Sequence, residues 1–278
     1  MSCGISWAAA VAADGAGGLW VADGFNNRVL RYDQAATGDR IADVVLGHAA
    51  MTDVREPVVP VEAPSVAISR WDFRTLAVDT GNSRVLVYAS FGGAFERTPL
   101  AVLGQPEPLS NGCNTDGLSA RSLCNPTAAI VGNDRLWIAD TGNNRVLRFD
   151  APWLTWDYAN KQWIQKRDAD GVFGQPDFTS SACRSGADGL CAPSRLAVDA
   201  IGNLYISDSG NNRILIDENP FTVDTFAERV LGQPNFDSNT CPPGAGGAAS
   251  LCDPRGVAVI SHVDGWGIDQ GDDLYVAD

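Results

Sequence analysis

The chain has 278 residues and a formal net charge of −14 at pH 7, with Lys161 and Lys166 as its lysines. An acidic surface of this kind repels phosphate backbones, so composition argues against a nucleic-acid partner. No uninterrupted apolar run reaches the roughly 18 residues that a membrane-spanning helix needs, so we expect no membrane insertion.

One motif recurs along the chain: two short apolar runs joined by a turn rich in glycine and asparagine. It reads LWVADGFNNRVLRYD at residues 19–33, LAVDTGNSRVLVY at 76–88, LWIADTGNNRVLRFD at 136–150 and LYISDSGNNRILID at 204–217, and it begins again as LYVAD at 274–278. Two apolar runs around such a turn indicate a β-hairpin. The aspartates that close the first run recur every 56 to 70 residues, which indicates a repeat architecture.

Two further apolar runs flank each hairpin, which makes four strands per unit, named a to d. Strand a is predicted at residues 8–13, 65–69, 127–131, 195–199 and 256–260, and strand d ends in Gly-Gln or a variant. Repeated units of four antiparallel strands predict an all-β chain that folds as a β-propeller. We expect a single partial propeller domain over residues 1–278, with about four and a half blades at roughly 5–48, 63–105, 125–175, 193–233 and, incomplete, 254–278.

The repeated unit resembles the NHL repeat, a family named after its Asn-His-Leu signature. The resemblance covers nearly the whole chain, and its most specific part is the core that reads IADTGNNR at residues 138–145. The chain departs from the pattern at Ser83, which stands where other copies have asparagine, at Gly24-Phe25, and in its long inter-strand loops. The resemblance implies a propeller of the six-bladed type, so we expect this chain to be a fragment of a longer protein and an open arc of blades.

An aspartate and an arginine flank every hairpin turn at the same spacing. Two interpretations are open: a ring of ligand-binding groups, or structural pairs that satisfy the turn. Because every unit carries the pair while active sites are unique, the pattern favours structural pairs. They are Asp23 with Arg28, Asp79 with Arg84, Asp140 with Arg145, and Asp208 with Arg213.

Six of the seven cysteines occur as pairs in the loops between strand d of one unit and strand a of the next. The spacing is not that of a zinc site, so we predict loop-closing disulfides, with reduced structural thiols as the alternative. Disulfides would place the protein in an extracellular, periplasmic or cell-surface compartment. The predicted pairs are Cys113 with Cys124, Cys183 with Cys191, and Cys241 with Cys252, which leaves Cys3 to pair outside this chain.

One insertion, residues 152–166 between strands c and d of the third unit, is rich in aromatic residues. We predict a projecting hairpin that turns near Asn160-Lys161, on the face opposite the cysteine loops. Its ring surface would stack on sugars or anchor a protein partner, or it would pack against the blade's own outer strand. The candidate binding residues are Trp153, Trp156, Tyr158 and Trp163.

The sequence contains no readable nucleophile triad, P-loop or zinc-protease motif, and we expect no cofactor, no metal site and no catalytic residue. His48 stands at a repeat position where other units have glutamine, and His262 lies in an insertion. We therefore expect a non-catalytic scaffold that recognises a protein or a glycan. The alternative is a propeller enzyme of the lyase or lactonase type, as the family resemblance implies, with a central metal supplied partly by blades outside this chain.

Overall fold

The computed structural model describes residues 5, 8–13, 17–38, 41–47, 64–68, 74–91, 94–95, 98–151, 154–218, 220, 225–241, 249–263 and 269–278. Within these ranges the chain forms four antiparallel sheets of four strands, two small hairpins and a two-stranded sheet. In each four-stranded sheet, strands a, b, c and d lie side by side in chain order. The fold is the all-β propeller arrangement that the repeat predicts.

The first two blades carry ten strands, because a small hairpin separates strands c and d of blade II. Blade I consists of β1 (Ala8–Ala13), β2 (Leu19–Asp23), β3 (Arg28–Tyr32) and β4 (Val44–Leu46). Blade II consists of β5 (Pro64–Ile68), β6 (Thr75–Asp79), β7 (Arg84–Tyr88), the hairpin β8 (Ser90–Phe91) and β9 (Ala94–Phe95), and β10 (Ala101–Leu103).

The remaining blades repeat this order. Blade III consists of β11 (Ala128–Gly132), β12 (Arg135–Asp140), β13 (Arg145–Asp150), the hairpin β14 (Leu154–Asp157) and β15 (Gln162–Gln165), and β16 (Gly171–Phe173). Blade IV consists of β17 (Pro193–Val198), β18 (Leu204–Asp208), β19 (Arg213–Asp217) and β20 (Arg229–Leu231). The last pair is β21 (Gly256–Val263) and β22 (Asp269–Ala277), which extend into the insertion that the sequence predicted as a loop.

In each four-stranded blade, strands b and c are joined by a 3-10 turn, and the residue that follows the turn is in the left-handed conformation. These turns are Gly24–Asn26, Thr80–Asn82, Thr141–Asn143 and Ser209–Asn211; a fifth 3-10 turn, Ala35–Thr37, lies between strands c and d of blade I. At the b–c turn of blade III, Asn144 has a positive φ of 52°, whereas Gly142 does not have a positive φ. Gly142 is required for another reason: a Cβ there would lie 2.6 Å from Cys124 Sγ and 2.7 Å from the Cys124 carbonyl oxygen.

The hydrophobic core is divided into clusters that lie between consecutive blades, because alternate residues of each strand face opposite neighbours. In β6, for example, Leu76 and Val78 pack towards blade III, while Ala77 packs towards blade I. Consecutive a strands also contact one another, so β1, β5, β11, β17 and β21 form the inner edge of the arc. The b–c turns and the d–a loops meet at one end of the blades, and this end is called the disulfide face.

Candidate functional site

A buried cluster of aspartate, asparagine and arginine closes the b–c turn of blade III. Arg145 Nε and Asn143 Nδ2 both donate to Asp140 Oδ2, each at 2.7 Å. The other carboxylate oxygen accepts the backbone N–H of Cys124 at 2.7 Å. The side chains of Asp140 and Arg145 are fully buried, so the ion pair is shielded from water.

The rest of the Arg145 guanidinium holds the neighbouring loops. Nη1 donates to the carbonyl of Phe178 at 2.7 Å, and Nη2 donates to the carbonyls of Ser119 and Ser122 at 2.9 and 2.8 Å. The arginine therefore ties the turn of its own blade to the loops on both sides. Carbonyls that are held in this way would be left without a donor if the guanidinium were removed.

The same pairing is present in the other three complete blades of the described chain. Burial raises the pKa of Asp140 and Asp208 above the ordinary value, against the opposing effect of their arginines, so these carboxylates depend on their donors. In blades III and IV both carboxylate oxygens are already occupied by protein donors, which supports a structural role for the pairs. The other pairs are Asp23 with Arg28 at 2.8 Å, Asp79 with Arg84 at 2.6 Å, and Asp208 with Arg213 at 2.7 Å.

The three predicted disulfides are confirmed: Cys113–Cys124, Cys183–Cys191 and Cys241–Cys252. They close short loops on the disulfide face. The second cysteine of each pair donates its backbone N–H to the aspartate that ends the following strand b, namely Asp140, Asp208 or Asp278. Disulfides of this kind persist in oxidising compartments.

The glutamine that follows strand d fastens each disulfide loop to a turn, a role that the sequence did not reveal. Gln175 Nε2 donates to the carbonyls of Asn144 and Ala182, both at 2.7 Å. Gln105 and Gln233 make the equivalent contacts in blades II and IV. Asn144 in turn accepts the backbone N–H of Ala192 in the next blade at 2.7 Å, so turn, loop and neighbouring blade form one connected unit.

The predicted hairpin of blade III is present as β14 and β15, and residues 158–161 form its turn. It does not lie only on the face opposite the disulfide loops. Gln165 at its base accepts the N–H of Val102 and donates to the carbonyl of Val102, each at 2.7 Å, and so covers the outer edge of blade II. Because strand d has only three residues, a segment along this edge reaches both faces, and Ala169 N–H donates to the carbonyl of Ala120 in the first disulfide loop.

A groove runs between this hairpin segment, the outer strand of blade II and the first disulfide loop. It consists of two adjoining cavities of about 260 and 360 Å³ that share five lining residues: Val102, Gln105, Pro106, Gln165 and Arg167. The end near the disulfide loop is lined by Asp116, Ser119, Arg121 and Ser122, and the end near the hairpin strands by prolines, aliphatic residues, Glu107, Gln162 and Ile164, which is 51% exposed. Both walls are held by hydrogen bonds and one of them by a disulfide, so the groove is preformed.

Two arginines, Arg121 and Arg167, line this groove together with the acidic residues Asp116 and Glu107. Arg121 makes a bidentate ion pair with Asp168, with Nε–Oδ1 and Nη2–Oδ2 distances of 2.5 and 2.8 Å. The hydrogen bond from Arg121 lowers the pKa of Asp168 below its ordinary value. Arg167 donates through Nη1 to the carbonyl of Pro106 at 3.1 Å and has no acidic partner within the described residues.

Neither Trp156 nor Tyr158 lines the groove. Trp156 is half-buried and lies opposite Trp163 in the β14–β15 register, on the same side of β14 as the buried Leu154. Tyr158 is 86% exposed at the tip of the hairpin. Trp153 and the side chain of Trp163 lie outside the described part of the chain, so an aromatic binding surface remains a prediction.

The described ranges contain no group of three or more His, Cys, Asp or Glu side chains that could hold a metal ion. They also contain no helix that is long and apolar enough to cross a membrane. His262 lies 3.0 Å from Asp273 on the exposed last sheet, and His48 lies outside the described residues.

No protein-family model and no curated protein sequence matches the chain. Among solved structures it is similar to streptogramin B lyase, with 13% identity over 99% of this chain and 70% of that chain and a TM-score of 0.50. It is similar to an auxiliary nutrient binding protein from Bacteroides ovatus, with 9% identity, coverage of 92% and 54%, and a TM-score of 0.53. A chain of the nidogen/laminin complex matches with 13% identity, coverage of 95% and 78%, and a TM-score of 0.48. At these identities the likenesses show the fold alone: the chain has the fold of a β-propeller.

Proposed function

We propose that this chain is an NHL-type propeller that recognises a protein or glycan partner outside the cytoplasm and has no catalytic activity of its own. The observation that carries the proposal is the preformed groove between the outer edge of blade II, the hairpin segment of blade III and the first disulfide loop. Large loop insertions on a rigid scaffold are typical positions for binding residues. The three disulfides support an extracellular, periplasmic or cell-surface location.

The chemistry of the groove supports an extended polar partner. Arg167 offers unused N–H donors beside the amide of Gln105 and the hydroxyl-bearing first disulfide loop, while Ile164 and the prolines offer apolar contact. Peptides and oligosaccharides both combine a row of oxygen acceptors with apolar faces. In this proposal the exposed ring of Tyr158, at the tip of the same hairpin, is a second contact for a partner that extends beyond the groove.

The test uses defined partners and a matched arginine variant. The wild-type chain is screened against an array of oligosaccharides and a displayed peptide library, and every ligand found is measured with Arg167→Ala and with Arg229→Ala. Arg229 is the control because it is an exposed arginine on the outer strand of blade IV, paired with Glu218 at 3.3 Å and far along the chain from the groove.

We expect Arg167→Ala to weaken binding about tenfold or more, as the loss of a charge-assisted hydrogen bond predicts, and Arg229→Ala to leave it unchanged. Tyr158→Ala should weaken the same ligand more modestly. A wild-type chain that binds no member of either panel would contradict the proposal. So would a ligand whose affinity is the same with the wild type and with Arg167→Ala.

A further inference from the structure

The inner strand of blade IV carries an arginine where the other blades carry small residues. Arg195 in β17 lies opposite Ser207, one residue before the aspartate that closes strand b. The register places Ala10, Ser65, Ala128 and Gly256 at the equivalent positions of the other blades. The repeat therefore does not require an arginine at this position, and the equivalent residues of the two adjacent blades, Ala128 and Gly256, are small.

The guanidinium of Arg195 bridges two adjacent inner strands. Its Nη1 donates to the carbonyl of Thr127, immediately before β11, and to the carbonyl of Ser194, both at 2.9 Å. A register shift in β17 between Pro193 and Arg195 accompanies this placement. The same shift occurs in β1 between Ala8 and Ala10, so the irregularity belongs to the repeat, and the arginine is what distinguishes blade IV.

No carboxylate faces this guanidinium among the residues that the structure describes. Arg195 makes no ion pair there, and burial alone lowers the pKa of its side chain, without an acidic neighbour acting against that change. Nε and Nη2 form no hydrogen bond with a described residue, whereas the buried Arg145 and Arg213 at the b–c turns each pair with an aspartate. A half-buried cation without a counter-charge is unusual, because burial of an unpaired charge costs free energy.

We propose that Arg195 is the anchor of a carboxylate-binding site at the inner edge of the arc, on the disulfide face. Nε and Nη2 form the edge of a guanidinium that presents two parallel N–H donors, and this spacing matches the two oxygens of a carboxylate. Pro193 begins β17 shortly after the Cys183–Cys191 loop, so Arg195 lies near the end of β17 at the disulfide face. The ligand is a molecule with an exposed carboxylate; a chain end, an acidic side chain and a uronic acid share that chemistry.

The test is an NMR titration of the whole chain at constant ionic strength, and it follows two signals: the Nε–H resonance of Arg195 where this residue is kept, and the backbone amide resonances of Ser194 and Leu196, which remain in every variant. The probes are acetate, glucuronate and inorganic phosphate, and the Arg195 resonance is assigned by its loss in Arg195→Ala. That substitution introduces the residue that blades I and III already have at this position, so the fold should tolerate it. Arg255→Ala is the matched control, because Arg255 immediately precedes β21 and is exposed and paired with Asp253.

We expect acetate and glucuronate to shift the Arg195 resonance and the two amide resonances saturably in the wild type and in Arg255→Ala. Arg195→Ala should abolish the saturable response of the amides, and Arg195→Lys, which keeps the charge but loses the fork, should weaken binding about tenfold. Stronger binding of glucuronate than of acetate would identify a sugar acid as the favoured source of the carboxylate. Three outcomes would overturn the proposal: no saturable shift with either carboxylate, unchanged binding by Arg195→Ala, or a response to phosphate alone.

Discussion

Replacing Arg145 by methionine tests whether the repeated ion pairs hold the blades together. The substitution keeps the length of the side chain but leaves the buried Asp140 without its counter-charge and removes donors from three carbonyls. Breaking a buried pair by removing one partner costs about 3–5 kcal/mol. This is a large share of the roughly 5–15 kcal/mol that stabilises an ordinary domain.

Urea unfolding followed by tryptophan fluorescence measures the loss, and Arg135→Met provides the control. Arg135 pairs with Asp150 at 2.8 Å with both side chains about one-third exposed, so its removal should cost no more than about 1 kcal/mol. Hydrogen exchange at the Cys124 amide, which donates to Asp140, gives a local readout if unfolding is not two-state. Equal losses in Arg145→Met and Arg135→Met, with unchanged exchange at Cys124, would refute a structural role for the pair.

Two further predictions concern the disulfides and the pair at the groove. Alkylation of the denatured chain without reduction should label Cys3 alone, and labelling of all seven cysteines would contradict the pairing. The double substitution Cys183→Ser with Cys191→Ser should lower the free energy of unfolding by about 2.5 kcal/mol, because the loop-closure entropy of the eight-residue separation is lost. Because Arg121 lowers the folded-state pKa of Asp168, the contribution of this pair is present above the unfolded value of about 3.9 and is lost as the pH falls through the lowered value. A carbon-detected titration should show the Asp168 midpoint below 3.9 and its return upwards in Arg121→Ala, whereas a midpoint that is unaffected by this substitution would contradict the reasoning.

The sequence predicts the repeated part of the fold well, because each copy of the motif reports on the others. The strand a prediction for residues 8–13 matches β1. The four d strands lie where they were predicted, but each ends just before the glycine, whereas the predicted runs included the Gly-Gln or Gly-His pair. That glycine has positive φ, and a Cβ on Gly174 would lie 2.5 Å from the Cβ of Leu190. Gly104 and Gly232 make the same close contact with Leu123 and Leu251, so the glycine after strand d is explained in blades II, III and IV.

The groove could not be predicted from the sequence, because its walls come from segments that are far apart in the chain. Val102 and Gln165 are separated by 63 residues, and no local pattern signals that a glutamine side chain will cover an edge strand. This contact takes the place of a neighbouring strand, since one carboxamide supplies both a donor and an acceptor to the same residue. It also explains why the hairpin lies along the periphery of blade II and does not simply project from one face.

Residues that occur at the same position in several blades are explained by the fold. Residues that differ from their counterparts in the other blades are not required by the repeat, and they are the candidates for a role in function. Asp140, Arg145 and Gln175 have counterparts in other blades that make the same contacts, so each is explained by the architecture. Arg195 replaces a small residue, and the hairpin of blade III is an insertion. Both contact a neighbouring blade, through Arg195 Nη1 and through the carboxamide of Gln165, but the contact of Arg195 uses Nη1 alone. In a repeat protein, a charged residue that replaces the small residue of the other blades is not required by the repeat, and ligand recognition is the role that we propose for the N–H donors of Arg195 and Arg167 that bond no described residue.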